Sequence, residues 1–232
     1  FSRPEDVATN PDNGTQAVMA STGRSSLFPD DKWGTTYLVD VDLESEKLSL
    51  DLDDAGLDEI AANVKILYAG DDCGSGNGSV GGVGDCAGGQ FSDPDFGLRS
   101  PDNLDWADDG FIYLQEDRSY GEFGDTSGEE ASIWRMDPQD GLLTRIAQMD
   151  RSALPTGQED IDPTDLGDWE SSGILDVTEL FGSKGDEIVL IGNTQAHSLR
   201  EGLIGNSDLP GDDPESDDSN LVQGGQIWFL TR

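Results

Sequence analysis

The sequence predicts an all-β protein, a β-propeller of about three blades, and three observations predict it. Short runs recur that either alternate apolar with polar residues, such as Thr35–Leu43, or are mostly apolar, such as Phe111–Gln115, Ser132–Asp137 and Gln226–Leu230, and both patterns suit short strands. Hairpin dipeptides, Asn13-Gly14, Asp109-Gly110, Asp140-Gly141 and Lys184-Gly185, punctuate the runs, as tight antiparallel turns require. The chain also holds 30 glycines among 232 residues. That is roughly twice the usual share and more than helices tolerate.

The runs fall into three similar units within one propeller domain spanning 1–232. The first unit, about 1–70, opens at Arg3-Pro4-Glu5-Asp6-Val7 and turns at Asp12-Asn13-Gly14. Strands are expected at Gln16–Ser21, Thr35–Asp42 and Lys47–Leu52, with a further apolar run at Val64–Gly70. The best helix candidate is Leu57–Asn63. A second unit, about 98–150, opens at Ser100-Pro101-Asp102-Asn103-Leu104 and continues through Phe111–Gln115, Ser132–Asp137 and Leu142–Gln148. The third, about 169–232, opens at Glu170-Ser171-Ser172-Gly173-Ile174, with strands at Glu187–Gly192 and Gln226–Leu230. A Gly-rich insertion, 71–97, separates the first two units and an acidic loop, 201–223, lies within the third, both too polar to bury.

A small antiparallel sheet repeated along the chain is the pattern of propeller blades. Three blades do not close a ring, since propellers have about four to eight. An open half would expose blade faces and strand edges. A missing half is therefore expected, upstream in a precursor or in a neighbouring chain.

Charge narrows the function. Thirteen Lys and Arg stand against 49 Asp and Glu, a net charge of −36. A surface so acidic excludes nucleic acid, whose phosphates need basic partners, and docking on an anionic membrane. No run approaches the roughly 18 apolar residues of a membrane helix. Mutual repulsion of so many carboxylates calls for high salt or divalent cations, which fits a secreted, extracellular or periplasmic setting.

The unit-opening carboxylates, Glu5, Asp102 and Glu170, carry the candidate chemistry. Equivalent positions at the starts of a propeller's innermost strands converge at one mouth of its channel. Clustered carboxylates raise one another's pKa, and a hard cation such as calcium, which takes six to eight oxygens, removes that cost. The alternative is that these residues cap turns or accept backbone amides. Arg3 lies two residues before Glu5, on the same side of an extended segment. A guanidinium beside a bound cation makes a clamp for phosphate or carboxylate; the alternative is a plain surface ion pair.

Other constellations are weaker. Cys73 and Cys86 share the Gly-rich insertion, where a disulfide is the default in a secreted protein and no neighbouring Cys or His suggests a metal. His197 is the only histidine, which excludes zinc motifs needing two and leaves a structural role as its default. The acidic loop at 212–218 lacks the spacing of a calcium-binding EF-hand.

Four segments, Phe1–Asp6 (FSRPED), Ser100–Leu104 (SPDNL), Trp169–Gly173 (WESSG) and Asn193–Ser198 (NTQAHS), occur in the order and approximate spacing of the PhoX-type alkaline phosphatases. The chain resembles the C-terminal half of that family over nearly its whole length, the two insertions apart. The resemblance implies a six-bladed, secreted propeller that hydrolyses phosphate monoesters with a calcium and iron cluster on its axis. It implies that Arg3 grips substrate phosphate and that Glu5 and Asp102 ligate metal, with Glu170 a further ligand candidate. The family's cluster also draws on the N-terminal half, including a cysteine that Cys73 and Cys86 do not match. The family's QHPG-like element stands here as Gln195-Ala196-His197-Ser198.

Two functions follow as expectations. The first is a secreted, calcium-dependent phosphomonoesterase in which this chain supplies the phosphate-binding arginine and metal-ligating carboxylates. The second is a non-catalytic, calcium-stabilised surface or matrix protein that reuses the propeller as structure.

Overall fold

The computed structural model describes residues 1–42, 61–71, 97–118, 123, 130–154, 156–182, 187–201 and 224–232. It is all-β. Strands β1 (Pro4–Asn10), β2 (Asn13–Ser21), β3 (Thr35–Val41) and β4 (Ala62–Ala69) form one antiparallel meander. A second contains β5 (Pro101–Trp106), β6 (Ile112–Glu116), β7 (Ser132–Met136) and β8 (Leu143–Gln148). After the short β9 (Gln158–Asp160) come β10 (Trp169–Asp176), the one-turn helix α1 (Thr178–Phe181) and β11 (Val189–Ala196). Strands β12 (Leu199–Glu201) and β13 (Gly224–Thr231) complete the chain. The third sheet has the order β10-β11-β13, while β9 and β12 pair by themselves. None of these sheets closes into a barrel.

The three larger sheets start at Pro4, Pro101 and Trp169. Three details differ from what the sequence predicts. The first hairpin turns on Pro11 and Asp12, with Asn13 and Gly14 already in β2, because proline has no amide to give a ladder. The fourth strand of the first sheet is Ala62–Ala69, not Lys47–Leu52, which lies outside the described residues. The expected helix over Leu57–Asn63 fails at its C-terminal end, where Ala62 and Asn63 pair with Val41 and Asp40. The insertion at 72–96, with Cys73 and Cys86, and the loop at 202–223 also lie outside the described residues.

The middle sheet is covered on both faces. Strand β6 is buried at every position, and its side chains alternate between two cores, as a two-residue period dictates. Ile112 and Leu114 pack with Val18, Ala20, Leu67 and Trp134 between the first and second sheets. Tyr113 packs with Ile188 and Leu190 between the second and third. The first strands lie side by side, β1 against β5 and β5 against β10. Side chains stitch them: Leu104 N–H donates to Asp6 at 3.0 Å, and Gly173 N–H to Asn103 at 2.8 Å.

Candidate active site

Two sets of equivalent positions build the site. The starts of the first strands supply Glu5, Asp102 and Glu170. In an antiparallel hairpin the second strand returns to the start of the first, so the residue just past it stands beside these carboxylates. Those residues are Thr22 after β2, Asp117 after β6 and His197 after β11. Thr22 and Asp117 are fixed there by backbone hydrogen bonds, Thr22 N–H to Arg3 O at 2.9 Å and Asp117 N–H to Ser100 O at 3.1 Å.

The carboxylates are brought together as the spacing predicts, and Asp117 links them. Thr22 Oγ1 donates to Asp102 Oδ1 at 3.3 Å. Asp117 is 7 % exposed and lies close enough to the carboxyl groups of both Asp102 and Glu170 to raise the pKa of each. Burial, then Asp117 and Glu5, push Asp102 up to about 7. Burial, then Asp117 and Asp102, push Glu170 up to about 9. Such groups titrate as a set. His197 Nε2 lies 3.1 Å from Glu170 Oε1, so the lone histidine borders the carboxylate cluster.

Among the described residues, Arg3 is the guanidinium paired with this group of carboxylates. Its Nε is 2.5 Å from Glu5 and its Nη2 a longer 3.4 Å from Asp117. Both side chains of the first pair are about a third exposed, so Arg3 can reach a solvent-borne anion. The plain Arg–Glu pair is thus present.

Local backbone irregularity aims these side chains. A register shift falls between Pro4 and Val7 in β1, around Glu5, and between Pro101 and Leu104 in β5, around Asp102. A third follows Glu170, between Ser172 and Ile174. Bulges re-aim side chains beside active sites. Ser100, two residues before Asp102, has a φ of +48°, the one positive φ among described residues other than glycine. Strain of this kind persists where the surroundings enforce it. Here Ser100 N–H donates to Trp33 O at 2.7 Å, and beneath it the fully buried Glu116 accepts the Arg99 and Ser132 amides, each at 2.8 Å.

The donors around Asp117 are hard oxygens, which suit calcium. Among the described residues no three His, Asp or Glu groups are already arranged around a single ion position. The sole nitrogen donor, His197, is held by Glu170 and gives no reason to choose iron. Sequence reading missed Asp117, whose signal was the polar run Glu116-Asp117-Arg118 closing an apolar strand.

No family model matches this sequence, and no curated protein matches it. Among solved structures, the chain is similar to PhoX of Pseudomonas fluorescens in complex with vanadate, a transition state analogue, at a TM-score of 0.49 and 18% identity. The likeness covers 100% of this chain and 33% of that one, so the chain spans about a third of its length. No helix among the described residues is long and apolar enough to cross a membrane. A likeness that loose assigns neither a family nor an activity.

Proposed function

We propose that this chain is part of a secreted β-propeller that hydrolyses phosphate monoesters with calcium bound at the Glu5–Asp102–Asp117–Glu170 cluster. One observation carries the reading: residues from three sheets, equivalent in sequence, converge on one cluster beside Arg3. The propeller is supported by three successive antiparallel sheets whose first strands are neighbours. The end sheets each leave an apolar face bare, with Val7 and Ile66 on the first and Leu175 and Ile227 on the third more than half exposed. A missing half of the ring, from the same polypeptide or a neighbouring chain, would cover them.

The chain's own residues have defined tasks. Arg3 exchanges its contacts with Glu5 and Asp117 for two oxygens of the phosphoryl group, a geometry that guanidinium suits. The cluster, once deprotonated, holds the cation, and calcium supplies charge neutralisation for the transferring group. His197, whose Nε2 is 3.1 Å from Glu170 Oε1, is the group beside the cluster that would pass a proton to the leaving oxygen. Four carboxylates giving one oxygen each fall short of six to eight oxygen ligands, and water, substrate or the missing half would then complete the shell.

The test is 4-nitrophenyl phosphate hydrolysis by the full-length protein, with calcium and with a chelator. Arg3→Ala and Glu170→Gln are expected to lower kcat/KM by at least a hundredfold, and unchanged rates sink the proposal. A second reading, a calcium-stabilised surface or matrix protein, draws on the bare end faces. In that case chelation disperses an assembly and no hydrolysis is found to lose.

A further inference from the structure

A cavity of about 620 Å³ opens between the second and third sheets, at the strand ends opposite to the carboxylate cluster. Asp108 and Phe111 border it from the turn that joins β5 to β6, and Glu187 from the approach to β11. Two guanidiniums reach it from facing sheets. Arg135 stands opposite Tyr113 in the β6–β7 ladder, and such partners share a face. Tyr113 belongs to the core between the two sheets. Arg232 lies two residues past Leu230, which packs on that same core, so the pleat turns it back toward the second sheet. The Arg232 backbone exchanges two hydrogen bonds with Ile188, each 3.1 Å, which fix its place.

These two arginines lack carboxylate partners in a chain where 49 Asp and Glu outnumber 13 Lys and Arg. Arg3, Arg99, Arg118 and Arg151 each pair with a carboxylate. Among the described residues, Arg135 and Arg232 pair with none. The Arg135 guanidinium carbon sits 3.7 Å from the centre of the Phe111 ring, and its donors make no hydrogen bond. All five donors are thus left for the cavity. Arg232 lies close enough to the Tyr113 hydroxyl to oppose the rise that burial gives its pKa. Acids line the same cavity without meeting these cations. Asp109 is engaged, accepting the Tyr113 hydroxyl at 2.8 Å and the Phe111 amide at 3.1 Å. Asp108 is anchored by its own amide, which donates to Asp176 at 3.0 Å. Its carboxylate and that of Glu187 face the cavity unpaired among the described residues. Opposite charges are therefore fixed around one space and held apart.

The geometry points to a binding site for a small zwitterion, an α-amino acid with an apolar side chain. Its carboxylate would lie on Arg135 and Arg232, and its ammonium on Asp108 and Glu187. A guanidinium edge takes a carboxylate through two hydrogen bonds. Charge selects the class. A lone anion meets the two acids and the net −36 of the chain, and a lone cation meets two guanidiniums. Phe111 and Ile188 give the side chain an apolar wall. The volume is within the ~300–1,000 Å³ usual for small-molecule clefts. The site is separate from the carboxylate cluster and independent of the activity proposed for it.

L-Phenylalanine, hydrocinnamate, which lacks its ammonium, and phenethylamine, which lacks its carboxylate, are the probes. Isothermal titration calorimetry of the full-length protein at neutral pH reads their affinities. L-Phenylalanine is expected to bind about tenfold tighter than either analogue, a ratio that one charge-assisted hydrogen bond supplies. Arg135→Gln should weaken L-phenylalanine and hydrocinnamate by about tenfold and leave phenethylamine unchanged. Asp108→Asn should weaken L-phenylalanine and phenethylamine and spare hydrocinnamate. Asp108 is exposed, so this variant decides the matter even if Arg135→Gln does not fold. No saturable binding of L-phenylalanine overturns the site. Equal affinities for the three probes, tighter binding of hydrocinnamate than of L-phenylalanine, or indifference to the substitutions overturns the zwitterion as its ligand.

Discussion

The middle sheet and the two end sheets obey the same strand pattern but meet different surroundings. In the middle sheet β6 is buried at all five positions, and both its faces serve a core. On the first sheet, Val7, Val64 and Ile66 are 62, 54 and 56 % exposed, and on the third Ile227 and Phe229 are 75 and 55 % exposed. The candidate site sits where the middle sheet's start meets its two neighbours. The lesson is that the sheet with two partners fixes the carboxylates, while the flanks are left for something else to cover.

The largest effect should come from breaking the support beneath the site in the middle sheet. Arg99 Nη2 lies 3.6 Å from Glu116, with the side chains 4 and 0 % exposed. Burial raises the Glu116 pKa against the lowering influence of Arg99. Arg99→Ala leaves a fully buried carboxylate with its two backbone amides but no countercharge from Arg99 and should destabilise by about 3–5 kcal/mol. Chemical denaturation measures it, and a loss under about 1 kcal/mol would mean that the middle sheet is no more tightly held than its neighbours.

An intermediate effect is expected where the sheets meet, and it depends on pH. Without metal, Asp102 at about 7 and Glu170 at about 9 stay protonated in the folded chain where the unfolded chain has ionised. The folded state then binds more protons. That contribution to stability is complete below pH ~4 and is lost as pH rises through about 7 and about 9. A calcium ion bound at the cluster would displace these protons, so calcium should flatten or reverse the fall. Melting temperatures between pH 5 and 9, with chelator and with calcium, test this, and coincident curves would refute cation binding. Glu170→Gln should melt higher than the parent at pH 9 in chelator and gain less from calcium.

Much of this was legible because repetition is legible. Glu5, Asp102 and Glu170 could be aligned as strand starts, and the structure gathers them. The fourth strand of the first sheet was misplaced because Lys47–Leu52 and Val64–Gly70 both alternate, and periodicity alone does not choose a partner for β3. Asp117 and His197 were missed as site residues for a geometric reason. Their place follows from antiparallel return, a property of the hairpin, and neither has a motif of its own. The bulges around Glu5 and Asp102 and the positive φ of Ser100 carry no compositional mark either, since serine is an ordinary residue with an unusual backbone.

The smallest effect is expected on the flanks, and it tests the comparison most directly. Ile227 is 75 % exposed on the third sheet's outer face, beside Phe229, which stacks edge-on with Phe181 at 5.4 Å. A surface substitution away from caps, cores and buried charges changes stability by no more than about 0.5 kcal/mol. Ile227→Ser should therefore be nearly silent if that face stays bare in solution. If a missing half of the ring covers it, the same substitution removes a buried methyl-rich side chain and should cost about 1 kcal/mol or more. Ile133→Ser in the middle sheet, where the residue is 2 % exposed, calibrates the comparison, because it must be costly in either case. An Ile227→Ser penalty approaching the Ile133→Ser penalty would mean that all three sheets are equally enclosed, and the distinction between middle and flanks would vanish.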